Sequence, residues 1–246
     1  MTAPVFVVDD FATDGSGRHV LDGPEGRHAV AVKRLRAGEA VVLTDGAGRW
    51  VEGEVDGTEG KDRLIVRLGH VVEEPEEFPR LTVVQALPKG DRGEVAVETM
   101  TEVGVDVIVP WSASRCITQW KGERGLKSLA KWRATAREAG KQSRRVRFPR
   151  VADAATTKQV ASLLAEADFA AVLHESGVEP LATAGLPASG DVVLVVGPEG
   201  GVSPEELAAF EGAGARVCRL GRSVLRTSTA GTAAGALLLG RTGRWS

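Results

Sequence analysis

The sequence predicts an α/β protein whose C-terminal part is a mostly parallel sheet covered by helices, preceded by a small β-barrel domain. Three features lead there. Residues 1–72 hold short, alternating, Val-rich segments punctuated by Asp-Gly pairs; an acidic, proline-bearing stretch follows; from Arg80 onward, apolar runs of strand length alternate with amphipathic stretches of helix length. At 246 residues the chain is long for one core and comfortable for two.

In the first domain, placed at residues 1–72, Pro4–Val8, Ala40–Thr44, Trp50–Val55 and Arg63–Val72 read as strands. Asp22-Gly23, Asp45-Gly46 and Asp56-Gly57 read as the turns between them. His28, Val32 and Leu35 stand at helical spacing, which predicts a short helix with Lys33, Arg34 and Arg36 around an exposed side. Residues 73–80 begin Glu73-Glu74-Pro75-Glu76-Glu77-Phe78-Pro79, have no apolar period, and read as a linker. The second domain, residues 81–246, is expected to take strands at Leu81–Leu87, Asp106–Pro110, Phe169–Leu173, Val192–Val196 and Arg216–Leu220. Its helices are expected at Glu94–Val103, Lys127–Lys141, Thr157–Ala167, Pro204–Gly212 and Thr229–Leu239.

Hydrophobic residues make up 43% of the chain and charged residues 26%, enough apolar material for a core and no case for wholesale disorder. No apolar run approaches the roughly 20 residues that span a bilayer, and the N-terminus lacks a signal-peptide pattern, so a cytoplasmic protein with no membrane partner is expected. Cys116 and Cys218 stand far apart with no CxxC and no nearby His cluster, so neither a disulfide framework nor a metal site is expected. The formal charge is only −2, but its distribution is uneven. Lys131, Arg133, Arg137, Lys141, Arg144, Arg145, Arg147 and Arg150 face Glu138 alone, which makes either a polyanion-binding patch or a solvated helix face.

Two segments carry the chemistry. In Asp191–Phe210 an apolar strand ends in Gly197-Pro198-Glu199-Gly200-Gly201 and a helix begins at Ser203-Pro204-Glu205-Glu206, with Ser203 as N-cap and Glu206 closing a capping box. Ligands of open α/β sheets sit at such strand ends. Glu199, Glu205 and Glu206 crowd this helix entrance, a poor setting for a phosphate, and no GxGxxG or GxxxxGK[ST] is present. A neutral or cationic ligand fits better, and a tight structural turn is the plain alternative. In Leu220–Leu239 a strand gives way to a loop carrying Arg222 and Arg226, Thr227 or Ser228 is placed to cap a helix, and Gly231 and Gly235 permit close packing against another element or another subunit.

Together, Val195-Val-Gly-Pro-Glu-Gly-Gly201 and Leu225-Arg-Thr-Ser-Thr229 resemble the SPOUT superfamily of RNA methyltransferases, within it the RsmE family that methylates N3 of a uridine in 16S ribosomal RNA. Gln85-Ala-Leu-Pro-Lys-Gly-Asp91, Thr101-Glu-Val-Gly-Val105 and Arg137-Glu-Ala-Gly-Lys-Gln-Ser-Arg144 extend the likeness over the whole chain. The resemblance implies a PUA-like RNA-binding barrel, a trefoil-knotted methyltransferase domain that general topology rules would not foresee, a homodimer, and an S-adenosylmethionine cofactor held by three loops. Carried over residue by residue, these are Leu173, His174 and Glu175; Gly197, Pro198, Glu199, Gly200 and Gly201; and Leu220, Gly221, Ser223, Val224, Leu225, Arg226 and Thr227. Two positions depart: Ser228 stands where the family often has Glu, and Thr99 where it often has Lys.

Uridine N3 carries a proton and is a poor nucleophile until it is lost, so the site must stabilise the anion that forms. Arg226 is the first candidate, with a structural bond to loop carbonyls as its alternative; Glu199 would orient base or cofactor, and His174 is a weaker candidate base. N3 lies on the Watson–Crick edge, so the target must be unpaired or flipped. Lys33, Arg34 and Arg36 with Arg92, Arg137, Lys141, Arg144 and Arg145 are the expected RNA surface, and 16S rRNA, within the assembled small subunit, the expected partner. The competing readings are methylation of another RNA, such as transfer RNA, a non-catalytic RNA-binding assembly factor, and an enzyme using a nucleotide cofactor, the last disfavoured by the missing phosphate fingerprints.

Overall fold

The computed structural model describes residues 3–245. The chain divides into two compact units, one running to Glu76 and including Gly140–Phe148, the other Glu77–Ala139 with Pro149 onward.

The first unit is a six-stranded sheet of β1 (Val5–Val7), β2 (Arg18–Leu21), β3 (Ala40–Thr44), β4 (Arg49–Glu59), β5 (Arg63–Leu68) and β6 (Val72–Glu73). The order is β1-β3-β4-β5-β2, with β6 on β4. Alternate residues point inward, so Phe6, Val41, Leu43, Val51, Val55, Leu64 and Val66 build the core. The three Asp-Gly pairs have three fates. Asp45-Gly46 makes the expected β3–β4 turn, Asp45 accepting the N–H groups of Ala47 and Arg49. Asp22-Gly23 instead opens a short helix, α1 (Gly23–Arg27), with Pro24 in its first turn. Asp56-Gly57 lies inside β4, where the register with β5 shifts by one residue in a bulge.

α1 continues into a π-helical turn, His28–Val32, and stops there, short of the expected helix through Leu35. The Lys33 N–H donates to His28 O and the Leu35 N–H to Ala29 O, and Arg34 takes φ +56°, a conformation no helix continues through. Lys33, Arg34 and Arg36 therefore lie exposed on the loop beyond the helix. Nothing in the sequence periodicity marks the contribution of residues 140–148, where Val146 O accepts the Gly48 N–H and Thr44 Oγ1–H, and the Phe148 N–H donates to Gly46 O.

The second unit alternates strands and helices: β7 (Arg80–Ala86), α2 (Arg92–Val103), β8 (Val107–Trp111), α3 (Gly122–Gln142, its last turn grouped with the first unit), β9 (Arg150–Val151) and α4 (Thr157–Glu166). Then follow β10 (Phe169–Leu173), β11 (Glu179–Pro180), β12 (Asp191–Val196), α5 (Pro204–Gly212), β13 (Arg216–Arg219) and α6 (Thr227–Arg241). The sheet runs β11-β13-β10-β12-β7-β8-β9, every pair parallel. Helices cover it, which is why the strands are predominantly apolar: Val192–Val196 is a continuous apolar run and wholly buried, and Leu81–Leu87 is buried along its length with Thr82 and Gln85 as its polar residues. On α6, Gly231 lets the helix lie so close to α2 and β7 that a Cβ would stand 2.8 Å from Met100 Sδ. That face of the small-residue helix is therefore used within the chain.

Candidate functional site

Within the sheet β13, β10 and β12 are neighbours, and the loops leaving their C-terminal ends converge. They enclose a cavity of about 560 Å³. Its wall is Leu173, His174 and Glu175 after β10; Val196 through Val202 at the end of β12; Arg219 through Thr227 after β13; and Arg92, Arg115 and Ala230. All fifteen residues expected to hold a cofactor lie on this wall.

The loop after β12 is fixed from outside. Ser203 caps α5, accepting the Glu206 N–H, and Glu206 returns the bond by accepting the Ser203 N–H. The same carboxylate accepts from Ser114 N–H at 2.7 Å and Thr157 Oγ1–H at 3.1 Å, tying α5 to the loop after β8 and to α4. At Gly200 a Cβ would sit 3.1 Å from Arg115 Cβ and 3.2 Å from Arg115 O, so a side chain there would press on Arg115 and push it back by a few tenths of an ångström. Glu205 and Glu206 stand in the first turn of α5 as expected, but Glu206 is buried in the cap and Glu205 lies off the cavity wall, so Glu199 alone of the three lines the cavity. Its Oε1 accepts the Lys89 N–H at 3.3 Å.

α6 begins at Thr227, two residues before the expected start at Thr229. Arg226 is the N-cap, its carbonyl accepting the N–H groups of Thr229 and Ala230, while Thr227 and Ser228 are buried in the first turn. The Arg226 guanidinium is exposed, lines the cavity and makes no hydrogen bond or ion pair among the described residues, so its alternative role, a structural bond to loop carbonyls, is absent there. His174 Nδ1 stands 2.7 Å from Ser176 Oγ and 3.2 Å from Ser176 N. A backbone N–H can only donate, so Nδ1 is an acceptor and the neutral ring carries its proton on Nε2. His174 then presents a donor, not a base. The two departures from the family pattern lie off the cavity wall: Ser228 is buried in α6, and Thr99 joins α2 to α6 through Thr232 Oγ1 at 2.6 Å.

Arg92 lines the cavity, at the start of α2. Arg144, like Lys33, Arg34 and Arg36, is exposed. Lys141 is a correction: its side chain is 4% exposed and its Nζ is 2.9 Å from Glu25 Oε1, so it is spent on the first unit's interior rather than offered to RNA. Arg137 and Arg145 also interact within the chain. Missing from the expected set are Arg115, Arg219 and Arg222, all cavity-lining. The rule that sites gather at strand C-termini reaches them, since Arg115 follows β8, Arg219 ends β13 and Arg222 follows it. Cys218, one position before Arg219, is no nucleophile: burial pushes its thiol up to about 11 despite Arg216 nearby. Among the described residues no group of three or more His, Cys, Asp or Glu is placed to hold a metal ion, and no helix is long and apolar enough to cross a membrane.

Comparison with known proteins gives the architecture a family. Residues 75–239 match the model of an RNA methyltransferase domain and residues 21–69 that of an RNA methyltransferase PUA domain. The chain is 43% identical over its whole length to the ribosomal RNA small subunit methyltransferase E of Mycobacterium bovis, covering 94% of that protein. It superposes on the Neisseria gonorrhoeae enzyme of that name, solved bound to S-adenosylmethionine, with TM-score 0.82 and 27% identity over 98% of both chains. A methyltransferase of Legionella pneumophila, also solved with S-adenosylmethionine, superposes with TM-score 0.85 and 26% identity over 98% of both chains. Identity at that level along the full sequence, with both domain models matched in order, means that the chain belongs to the ribosomal RNA small subunit methyltransferase E family.

Proposed function

We propose that this chain transfers the methyl group of S-adenosylmethionine to N3 of a uridine in 16S ribosomal RNA, giving 3-methyluridine. The observation that carries the reading is the convergence of three strand-end loops on one cavity of about 560 Å³, within the range that encloses most of a small organic ligand. The wall fits the cofactor chemically. Leu173, Val196, Val202 and Ala230 offer apolar surface for a purine and a thioether, the glycine loop offers backbone groups, and Glu175 and Glu199 offer carboxylates to a cation. The relatives solved with S-adenosylmethionine support the same assignment.

When bound, the cofactor supplies an electrophilic methyl on a sulfonium. The chain's residues align and stabilise. In-line displacement needs the nucleophile placed opposite the departing sulfur, so much of the catalysis is positioning by the loops after β10, β12 and β13. Arg226, with its guanidinium unengaged, stabilises negative charge on the uracil oxygens as N3 loses its proton. Glu199 orients base or cofactor, and the Nε2–H of His174 is a further donor. The target uridine enters unpaired. In the first unit Lys33, Arg34, Arg36 and Arg144 are the cations offered to RNA, in keeping with the PUA domain match, and in the second unit it is Arg92.

The finer features implied by the family resemblance belong to the same proposal: a trefoil knot in the second unit, a cytoplasmic homodimer, no metal, and the small ribosomal subunit as substrate. For the dimer, Val95 of α2, one turn before Thr99, and Trp245, whose ring N–H donates to Val103 O, supply exposed apolar surface. Mass mapping of ribosomal RNA from a strain lacking the gene, before and after complementation, tests the reaction. One 3-methyluridine should vanish and return; an unchanged map sinks the assignment, and a change in transfer RNA alone redirects it. Sedimentation should give twice the chain mass.

A further inference from the structure

Five arginines line the cavity, Arg92, Arg115, Arg219, Arg222 and Arg226, against two carboxylates, Glu175 and Glu199. Arg115 gives one N–H to Gly200 O at 3.2 Å. The guanidinium groups of the other four make no hydrogen bond or ion pair among the described residues. Gathering unpaired like charges around one opening costs self-repulsion, which an anionic ligand relieves. The cofactor is the wrong ligand for that purpose: its single carboxylate is outweighed by an ammonium and a sulfonium. The surplus positive charge suits a different, anionic ligand.

Its position says which. Arg219, the last residue of β13, and Arg222, in the loop beyond, are exposed, and Arg92, the first residue of α2, is half-buried, so all three combine a place on the cavity wall with access to solvent; of the other two, Arg115 is bonded to Gly200 O and Arg226 is assigned to the uracil. A uridine presenting N3 must leave its stack and enter the cavity edge-first, while the phosphates on either side of it stay outside. A guanidinium forks onto two oxygens of a phosphate, a geometry an ammonium does not match. We infer that Arg92, Arg219 and Arg222 form a phosphate clamp for the single-stranded RNA flanking the methylated uridine. The inference rests on the cavity being the methyl-transfer site. It moves the main phosphate contacts from the basic run around α3 to the solvent-accessible arginines of the cavity wall, with two residues, Arg219 and Arg222, that charge density along the sequence does not assign to RNA.

The test is the triple variant Arg92→Gln/Arg219→Gln/Arg222→Gln in the full chain, with a short uridine-containing single-stranded RNA titrated at several salt concentrations and S-adenosylmethionine titrated separately by calorimetry. For a single strand, removing one arginine–phosphate pair should reduce the magnitude of the log–log salt slope by about 0.7, so about 2 for the triple variant, with affinity down by about tenfold or more. Cofactor affinity should stay within about twofold of the parent chain. The matching Arg→Lys triple should keep the slope, since charge is conserved, and lose part of the affinity. A control, Lys131→Gln/Arg133→Gln, should leave the slope where it was. An unchanged slope in the Gln triple overturns the clamp, and so does loss of cofactor binding in both triples, which would make these arginines part of the cofactor site. A parent chain that binds RNA with an arginine-dependent slope but no S-adenosylmethionine would instead overturn the methyl-transfer reading and with it the clamp as stated, leaving the three arginines as RNA contacts of a non-catalytic binder.

Discussion

Two arginine-rich regions of this chain look alike as sequence and differ as structure. The run from Lys131 to Arg150 has the denser charge, yet most of it is spent internally. Lys131 pairs with Glu94, Arg133 with Asp153, Lys141 with Glu25, and Arg147 with Glu76 and the Glu74 carbonyl, while Arg137 and Arg145 interact within the chain. The cavity arginines are scattered from Arg92 to Arg226, and four of the five make no such bond among the described residues. A count of charges in a window therefore measures supply. What a polyanion can use is the remainder after pairing, and the partners that decide it lie up to 116 positions away, as for Lys141 and Glu25.

The largest expected effect that separates the two regions is on stability. Lys141→Met keeps the aliphatic stem but leaves Glu25 buried opposite an uncharged group, a change that costs about 3–5 kcal/mol when a buried pair is broken. Urea denaturation should show that loss, and adding Glu25→Gln should recover part of it. The salt slope for RNA binding should not move. A stable Lys141→Met protein with a reduced slope would break the comparison, because the run would then face RNA after all.

The same contrast explains what is legible in the sequence. Strands buried on both faces announce themselves, and Phe169–Leu173 keeps its expected bounds. So does Pro204–Gly212, because Ser203, Pro204 and Glu206 write the helix start into four consecutive residues. The loops that line the cavity are legible through their motifs. Asp-Gly pairs are not reliable, because the pair encodes tolerance for turning and not a turn: Gly23 and Gly46 use a positive φ, and Gly57, in the β4 bulge, does not. Local signals can be read from the chain, whereas anything fixed by a distant partner cannot. Glu206 is the clearest example. It is visible as a capping residue, but its bonds to Ser114 and Thr157, which remove it from the cavity, depend on tertiary structure.

A second, smaller effect distinguishes Arg226 from the clamp residues beside it. If its guanidinium stabilises the uracil anion, Arg226→Ala should lower kcat by about 10²–10³-fold, the usual consequence of removing one preorganised donor from an oxyanion. Cofactor affinity and the RNA salt slope should change little. Arg226→Lys should restore part of kcat, since charge returns without the fork. Single-turnover methylation of small-subunit RNA reads this directly. A slope change with kcat intact would instead place Arg226 among the phosphate contacts.

The smallest effects belong to the exposed pairs of the basic run. The Lys131 and Arg133 side chains are 63% and 51% exposed, so water screens their bonds to Glu94 and Asp153. Replacing either by Gln should shift stability by no more than about 1 kcal/mol, the range of surface ion pairs. Arg133 also gives its Nε–H to Val151 O at 3.1 Å, so its loss should be the larger of the two. Both pairs are salt-sensitive, so the difference between parent and variant should shrink between low and high ionic strength in thermal melts, while RNA affinity stays level. Such a result would show a run of cations whose work is to hold α3 against its neighbours in sequence and space. RNA affinity that falls with these exposed residues would return the run to the nucleic-acid surface that its charge density first implied.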